Sequence, residues 1–252
     1  MAILKTEGVV LRGWRLSETS KILSVFTRDH GKIRVVAKGA LGPKSKFRGC
    51  VESLAHIDMI YYDKRTRDLQ LLSQTDLKDG HIRILGNTAR TALGLAACEL
   101  LDKAVLAEEP NPALFDMIVR YLGTMNEADG FLEGCLWYFE GHFIGMMGYQ
   151  PTWDRCLDCG GSLGAGGGFF LPVNGGLLCR ECGSRRGGLR IEGETLEILF
   201  WLQGAALEEA SRLNPPSGLK AEIRKMFDLY FRTHIEHMRP LKSLAVYYGI
   251  GG

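Results

Sequence analysis

The chain has 252 residues, 46% hydrophobic and 24% charged, with a formal net charge of +2. This length admits one large domain or two to three small ones with a real core, and the composition excludes a disulfide-stapled peptide, wholesale disorder and a collagen-like or coiled-coil rod. Glu99 and Asp102 interrupt the most apolar stretch, Leu93 to Leu106, and Lys5 and Glu7 leave no signal-peptide block, so neither a membrane nor secretion is expected and a bacterial-type cytoplasm or a nucleoplasm is the default compartment. The charge is unevenly laid out: +6 over residues 1–80, −5 over 81–150 and +1 over 151–252. In residues 1–50 eleven cations face three anions, Glu7, Glu18 and Asp29, a local excess that attracts a polyanion.

Residues 2–76 read as strands, because β-branched and aromatic residues recur between turn signals and no helix-length period appears. The predicted strands are Ile3 to Trp14, Ser20 to Arg28, Lys32 to Gly39, Cys50 to Tyr62 and Asp68 to Asp76, with Asp29-His30-Gly31 as a tight turn. Five strands in so short a stretch fit a five-stranded Greek-key barrel of the OB type, a fold that binds single strands along a basic groove.

From about Lys78 the period becomes helical, through Ile82, Leu93, Ala97, Leu100 and Ala104. Pro110 and Pro112 break this pattern, and two further helices follow around Leu114 to Leu122 and Leu132 to Met146. Helical spacing returns at Leu196 to Leu207 and Leu219 to Met238. The helices on the two sides of the intervening cysteine-rich insertion are expected to pack together. The predicted architecture is α+β and multidomain: an OB-type barrel over 1–78, an α-helical domain over 79–252, and a zinc ribbon over 153–185 inserted in it.

Four of the seven cysteines form Cys156-x2-Cys159 and, after nineteen residues, Cys179-x2-Cys182. Two such knuckles bring four thiolates to tetrahedral reach of one soft ion, and zinc is the usual occupant of a closed all-sulfur site. Gly160-Gly161 and Gly183 follow the knuckles, where a tight backbone turn aims amides at sulfur. Competing readings are a mononuclear iron site, a chance grouping of buried thiols and a thioredoxin-type redox pair, the last needing only one knuckle, and neither motif is expected to open a helix after a parallel-sheet strand. With four protein ligands the metal folds a ribbon and performs no catalysis. Cys50, Cys98 and Cys135 read as core residues.

In the barrel, period two places Lys32 and Arg34 on one face of a strand while Ile33, Val35 and Ala37 point inward. Lys38 follows, and the next connection adds Lys44, Lys46 and Arg48 with the aromatic Phe47 and no acid. Such cations neutralise phosphates without reading bases, and a ring can add stacking. Phe47 serves equally as a candidate stacker and a candidate core anchor, and Trp14, Phe26, Tyr61 and Tyr62 divide the same way, at least half of them core. Gly39-x2-Gly42-Pro43-Lys44 has the wrong spacing for a phosphate-binding loop. His234 and His237 lack a zinc-protease partner and read as surface residues, and Arg185, Arg186 and Arg190 read as a solvated loop before an extended DNA path.

The order of features, together with Gly8-Val9-Val10-Leu11, Glu18-Thr19-Ser20-Lys21, Phe26-Thr27-Arg28-Asp29-His30-Gly31-Lys32, Ala37-Lys38-Gly39-Ala40, Pro43-Lys44-Ser45-Lys46-Phe47-Arg48-Gly49 and Pro240-Leu241-Lys242-Ser243, resembles the bacterial DNA repair and recombination mediator family RecO. The resemblance implies binding of single- and double-stranded DNA, annealing of complementary strands, and help for RecA in replacing the single-stranded DNA-binding protein, acting with RecR and in some settings RecF at the nucleoid. It implies no enzyme activity, and no catalytic residues or nuclease-type carboxylate motif can be assembled from the chain. A rival reading makes the ribbon and helices a protein-docking adaptor with a merely solvated basic barrel.

Overall fold

The first five strands alternate inward apolar and outward polar residues, and the barrel closes because one of them is long enough to be shared. These relations come from a computed structural model that describes residues 2–64, 66–148, 151–163, 166–236 and 238–250. The strands are β1 (Ala2–Arg15), β2 (Lys21–Thr27), β3 (Gly31–Ala37), β4 (His56–Asp63) and β5 (Gln70–Asp79). They close in the order β1-β2-β3-β5-β4, with β3 parallel to β5 and the other pairs antiparallel. This is the Greek-key topology expected of an OB-type barrel. The two ends of β1 pair with β4 and β2, overlapping at Gly8 and Val9, and the register shifts between Val10 and Arg12. A Cβ at Gly8 would lie 2.5 Å from Val25 Cγ1, so a glycine is needed where β1 passes from one partner to the other. Val10, Val25, Val35, Ile57, Met59 and Tyr61 fill the interior.

The fourth strand starts at His56, six residues later than its apolar content implied. Cys50, Val51 and Leu54 are buried in turns, and Leu54 adopts φ 75. Burial without pairing explains the misplaced boundary, since an apolar run reports the core and not the ladder.

The next helices are α1 (Ile82–Leu85), α2 (Thr88–Ala104) and α3 (Pro112–Glu127). Asn87 divides the first pair, its side chain accepting the Arg90 N–H at 3.0 Å as an N-cap. Helix α2 packs on β1 and β2. Residues 1–127 and 241–252 form one compact unit, and residues 128–240 another, so α1 to α3 group with the barrel although the change of secondary structure near residue 78 placed them with the later helices. Helix α9 (Lys242–Gly249), which sequence periodicity did not announce, also packs on α2.

Glu99 holds that C-terminal helix. Its carboxylate accepts the N–H groups of Lys242 and Ser243 at 3.1 Å and the Ser243 hydroxyl at 2.9 Å, and Lys103 pairs with it at 2.8 Å. A side chain from α2 therefore caps α9 and favours the positive end of its dipole. Glu99→Ala is expected to cost about 1–3 kcal/mol, read from urea unfolding, with Glu99→Gln costing less.

Two histidines of this unit are buried. His56 lies 3.2 Å from Glu7, and His81 Nδ1 donates to Leu54 O at 2.9 Å. Burial lowers both pKa values, so the folded state keeps them neutral while an unfolded chain takes up protons below about pH 6.5. Their contribution is intact above that pH and is lost as pH falls toward the depressed folded values, with a limiting slope of about 1.4 kcal/mol per pH unit for each histidine. His81→Asn suits the left-handed backbone there (φ 47) and is expected to flatten the fall in urea midpoint between pH 7 and pH 5.

The second unit contains α4 (Leu132–Met146), β6 (Gly168–Leu171), β7 (Gly176–Leu178), α5 (Arg180–Arg186), β8 (Leu189–Ile191), α6 (Gly193–Gly204), α7 (Leu207–Ala210) and α8 (Ser217–His234). Helix α4 packs on α6 and α7, and α6 on α8, so helices from both sides of the insertion do meet. A Cβ at Gly134 would sit 2.2 Å from Ala210 O, which fixes the close approach of α4 and α7. Helix α8 ends at His234, four residues short of the periodicity. The buried Glu140 carboxylate receives both bonds of Arg224 Nη1, at 2.9 and 3.2 Å, and burial pushes its pKa up against that attraction. No helix among the described residues is long and apolar enough to cross a membrane.

Candidate nucleic-acid interface and metal centre

The connection after β3 is a chain of tight turns, with Gly42 N–H bonded to Gly39 O at 3.1 Å, Ser45 N–H to Gly42 O at 3.1 Å and Cys50 N–H to Phe47 O at 3.0 Å. Its foot is apolar: Ala40, Phe47, Cys50 and Val51 all join the barrel core. Phe47 is 1% exposed and cannot stack on a base. The stacking role is therefore corrected to that of a plug, and insertion of this ring turns Lys44, Lys46 and Arg48 outward, all exposed. Lys46 Nζ donates to Ser73 O at 2.5 Å and lies 5.1 Å from the Phe47 ring centroid. Leu41 N–H donates to Thr19 O at 2.9 Å, tying the connection to the β1–β2 turn. Lys38, at its start, is exposed.

Lys32 departs from the expected basic stripe. Its Nζ donates to Asp102 O at 2.5 Å, and burial, outweighing the attraction of Asp102, lowers its pKa. It straps the last turn of α2 to the barrel, because an ammonium satisfies the carbonyls that a helix C-terminus leaves open. The same Asp102 accepts the Ser24 hydroxyl at 2.6 Å and pairs with Arg12 at 3.0 Å. Arg34 stands opposite Ser24 in the ladder and is exposed. Half of the predicted stripe is thus a structural contact.

Exposed barrel cations outside the predicted set include Arg12, Arg15, Lys64 and Arg67. Arg12 lies 4.8 Å from the Trp14 ring centroid, and Arg15 braces the β1–β2 turn through Ser17 O at 2.9 Å. Lys64 and Arg67 flank the β4–β5 loop, which buried Gln70 shapes by donating to Arg67 O at 2.6 Å and accepting from Lys64 N at 2.9 Å. The run Lys64-Arg65-x-Arg67 in a polar turn was the available signal; Arg65 lies outside the described residues. Of the other barrel aromatics, Phe26 and Tyr61 are buried, whereas Trp14 and Tyr62 are half-buried.

The four cysteines of the second unit do converge. Their sulfurs lie within 4.8 Å of one another and could hold a metal ion. The first knuckle is closed by Cys156 N–H to Gly161 O at 2.8 Å and Gly160 N–H to Cys156 O at 2.9 Å, with Gly160 at φ 69. Leu157 N–H donates to Leu177 O at 2.9 Å, which lashes this knuckle to β7, the strand that leads into the second. Burial opposes ionisation of Cys156, but the N–H groups of Cys159, Cys179 and Asp158 outweigh it and bring the thiol down to about 6.

Cys179 caps α5, accepting the Cys182 N–H on sulfur at 3.4 Å. The second knuckle thus does open a helix, although the preceding strand belongs to an antiparallel sheet, order β7-β6-β8. Gly183 sits inside this helix and not in a turn; a Cβ there would meet Phe169 at 2.2 Å. The third strand, β8, carries the ribbon beyond residue 185, and Phe170 anchors it with its ring centroid 6.1 Å from that of Tyr230 on α8. His234 bonds Pro172 O at 2.5 Å; His237 lies outside the described residues. Arg185, Arg186 and Arg190 each have a carboxylate partner, respectively Glu181, Asp158 and Glu192.

Comparison with known proteins matches residues 1–81 to the family described as recombination protein O N terminal and residues 86–245 to recombination protein O C terminal. The chain belongs to the recombination protein O family. A DNA repair protein RecO of Desulforamulus reducens is 31% identical over 94% of this chain and 91% of its own length. Those of Symbiobacterium thermophilum and Salinibacter ruber are 29% and 28% identical, covering 96% and 100% of this chain and 96% and 95% of theirs. Within this DNA repair family the N-terminal match ends at His81, just after the barrel closes, so the barrel with its cationic connection corresponds to a recognised part of the family.

Proposed function

We propose that the chain binds single- and double-stranded DNA through the barrel of residues 1–78, anneals complementary strands and, with RecR and RecF, helps load RecA onto DNA covered by single-stranded DNA-binding protein at the nucleoid. The observation that supports this reading is the connection after β3, where Lys38, Lys44, Lys46 and Arg48 are exposed on turns that carry no acid and are pinned by a buried Phe47. Cations on a rigid foot neutralise phosphates without selecting bases. Two strands held at one neutralised surface lose the repulsion that slows their pairing, which requires neither nucleotide hydrolysis nor a catalytic side chain. The protein acts in this reading as a mediator and not as an enzyme.

The cysteine set is proposed to hold one structural zinc ion. Tetrahedral Zn–S bonds of about 2.3 Å put sulfurs roughly 3.8 Å apart, and Cys159 and Cys179 stand at 3.9 Å. Annealing of complementary oligonucleotides without ATP tests the main reading: replacement of Lys38, Lys44, Lys46 and Arg48 by Gln is expected to slow it at least about tenfold at moderate salt, and an unchanged rate would remove it. One observation favours the adaptor reading, namely that Asp102 neutralises part of the barrel wall. Under that reading DNA binding is weak and fully salt-labile.

A further inference from the structure

A pocket of about 660 Å3 opens at the mouth of the barrel where the start of β1, the end of β4 and the β2–β3 turn meet. Its walls carry the carboxylates of Asp29, Asp63 and Glu108 with His30 and Gln70, and among the described residues no Lys or Arg lines it. Asp29 accepts the Thr6 hydroxyl at 2.7 Å; Asp63 and Glu108 have no cationic partner among the described residues. Leu4, Ile33 and Pro110 supply apolar surface beside these acids.

The backbone holds one of the acids in place. Glu108 adopts φ 60, an uncommon conformation for a residue with a side chain. Its N–H donates to Lys32 O at 3.1 Å, and Ala107 bridges Lys32 on β3. Gly31, at φ 64, lets this segment pass so closely that a Cβ there would fall 2.5 Å from the Glu109 backbone. The Glu108 segment is thus built onto the β2–β3 hairpin.

Tyr61 makes the pocket more than a patch of acids. The residue is 2% exposed and lines the pocket, and its hydroxyl has no hydrogen-bond partner among the described residues. The buried side-chain polar atoms left without a partner among the described residues are Thr75 Oγ1 and Trp137 Nε1, so the Tyr61 oxygen is not sealed in the core and is reached by solvent at the pocket. Burial, with the Asp63 and Glu108 carboxylates, pushes its pKa up to about 12, so it stays a neutral O–H with a free lone pair for an incoming N–H.

A bare metal ion does not suit this arrangement. Among the described residues the four cysteines, and not these carboxylates, lie close enough together to share an ion. Acids spread around an apolar floor with one unpaired acceptor suit a planar cation on an aliphatic stem, since guanidinium forks bind carboxylates and the methylenes cover apolar surface. We propose that this pocket takes an arginine side chain presented by a protein partner, the guanidinium held by Asp63 and Glu108 with an N–H to Tyr61 Oη and its stem on Leu4, Ile33 and Pro110. The three carboxylates exclude DNA phosphate, so this surface serves an interaction separate from strand binding.

The test is an NMR titration of the isotope-labelled full chain with an acetylated, amidated Gly-Gly-Arg-Gly-Gly peptide. Shifts are expected at residues 61–63 and 108, and replacement of the arginine by citrulline, its neutral isostere, should abolish them. The double variant Asp63→Asn, Glu108→Gln should bind the peptide at least about tenfold more weakly, and Tyr61→Phe about threefold more weakly. Both keep side-chain shape, and their amide spectra report whether the barrel is intact. Equal binding of the citrulline peptide, spermidine binding as tightly as the arginine peptide, or affinities unchanged in both variants would each overturn the proposal.

Discussion

Cys179→Ser is expected to drop bound zinc from one ion per chain to well below one, and to expose the segment from residue 152 to 191 to protease. Two structural roles are lost together, because this sulfur both converges with the other three and caps α5 by accepting the Cys182 N–H. Zinc binding to a closed thiolate site is worth about 10–16 kcal/mol in small zinc-finger peptides, comparable with or larger than the net stability of a whole domain, about 5–15 kcal/mol. The ribbon is poorly equipped to fold without it, since its strands are three or four residues long and its main apolar anchor is Phe170 against Tyr230 and Trp153. Metal analysis by atomic emission and limited proteolysis of wild type and variant check this. Retention of full zinc with unchanged proteolysis would show that Cys179 is not a ligand and that the metal is held elsewhere.

The second large effect is on DNA affinity. For wild type, the logarithm of the single-strand binding constant is expected to fall steeply with the logarithm of salt. In a variant with Lys38, Lys44, Lys46 and Arg48 changed to Gln, the slope should shrink by up to about 2.8, taking roughly 0.7 per phosphate contact. Lys46 is tied to Ser73 O and is the weakest of the four candidates. Lys32→Gln supplies the internal contrast: its ammonium holds the end of α2, so this change should lower the urea midpoint and leave the salt slope almost intact. A slope unchanged in the fourfold variant would make the connection a solvated face and bring the adaptor reading forward.

Features carried by local order were legible in the chain itself. The strand-rich first third, the order β-barrel then helices, and the two cysteine knuckles follow from period, turn residues and spacing, because each depends on neighbours within a few residues. Boundaries were less legible where burial and pairing part company, as at Cys50 to Ala55. Two of the helices that went unread, α5 and α9, share a related reason. Helix α9 is only eight residues long and is capped by Glu99 from a different helix, while α5 is capped by the sulfur of a cysteine.

The division of labour among the basic residues belongs to the tertiary structure. By sequence alone Lys32 and Lys38 are the same kind of candidate, and Phe47 is a stacker as readily as a plug. What separates them is what lies opposite: the carbonyl end of α2 over Lys32, solvent beside Lys38, and the barrel core beneath Phe47. Neither the pocket around Tyr61 nor the compact unit that joins α1 to α3 and α9 to the barrel could be read from one dimension. Asp29, Tyr61 and Glu108, like Glu99 and Ser243, are distant in the chain, and only closure of the barrel and docking of helices make them neighbours. The sequence by itself determined the family, the order of the parts and the four cysteines that converge, since these are written as short-range pattern. The fold decided which cations face solvent, which side chains are buried and which acids stand unpaired, because burial and electrostatic partnership depend on distances through space.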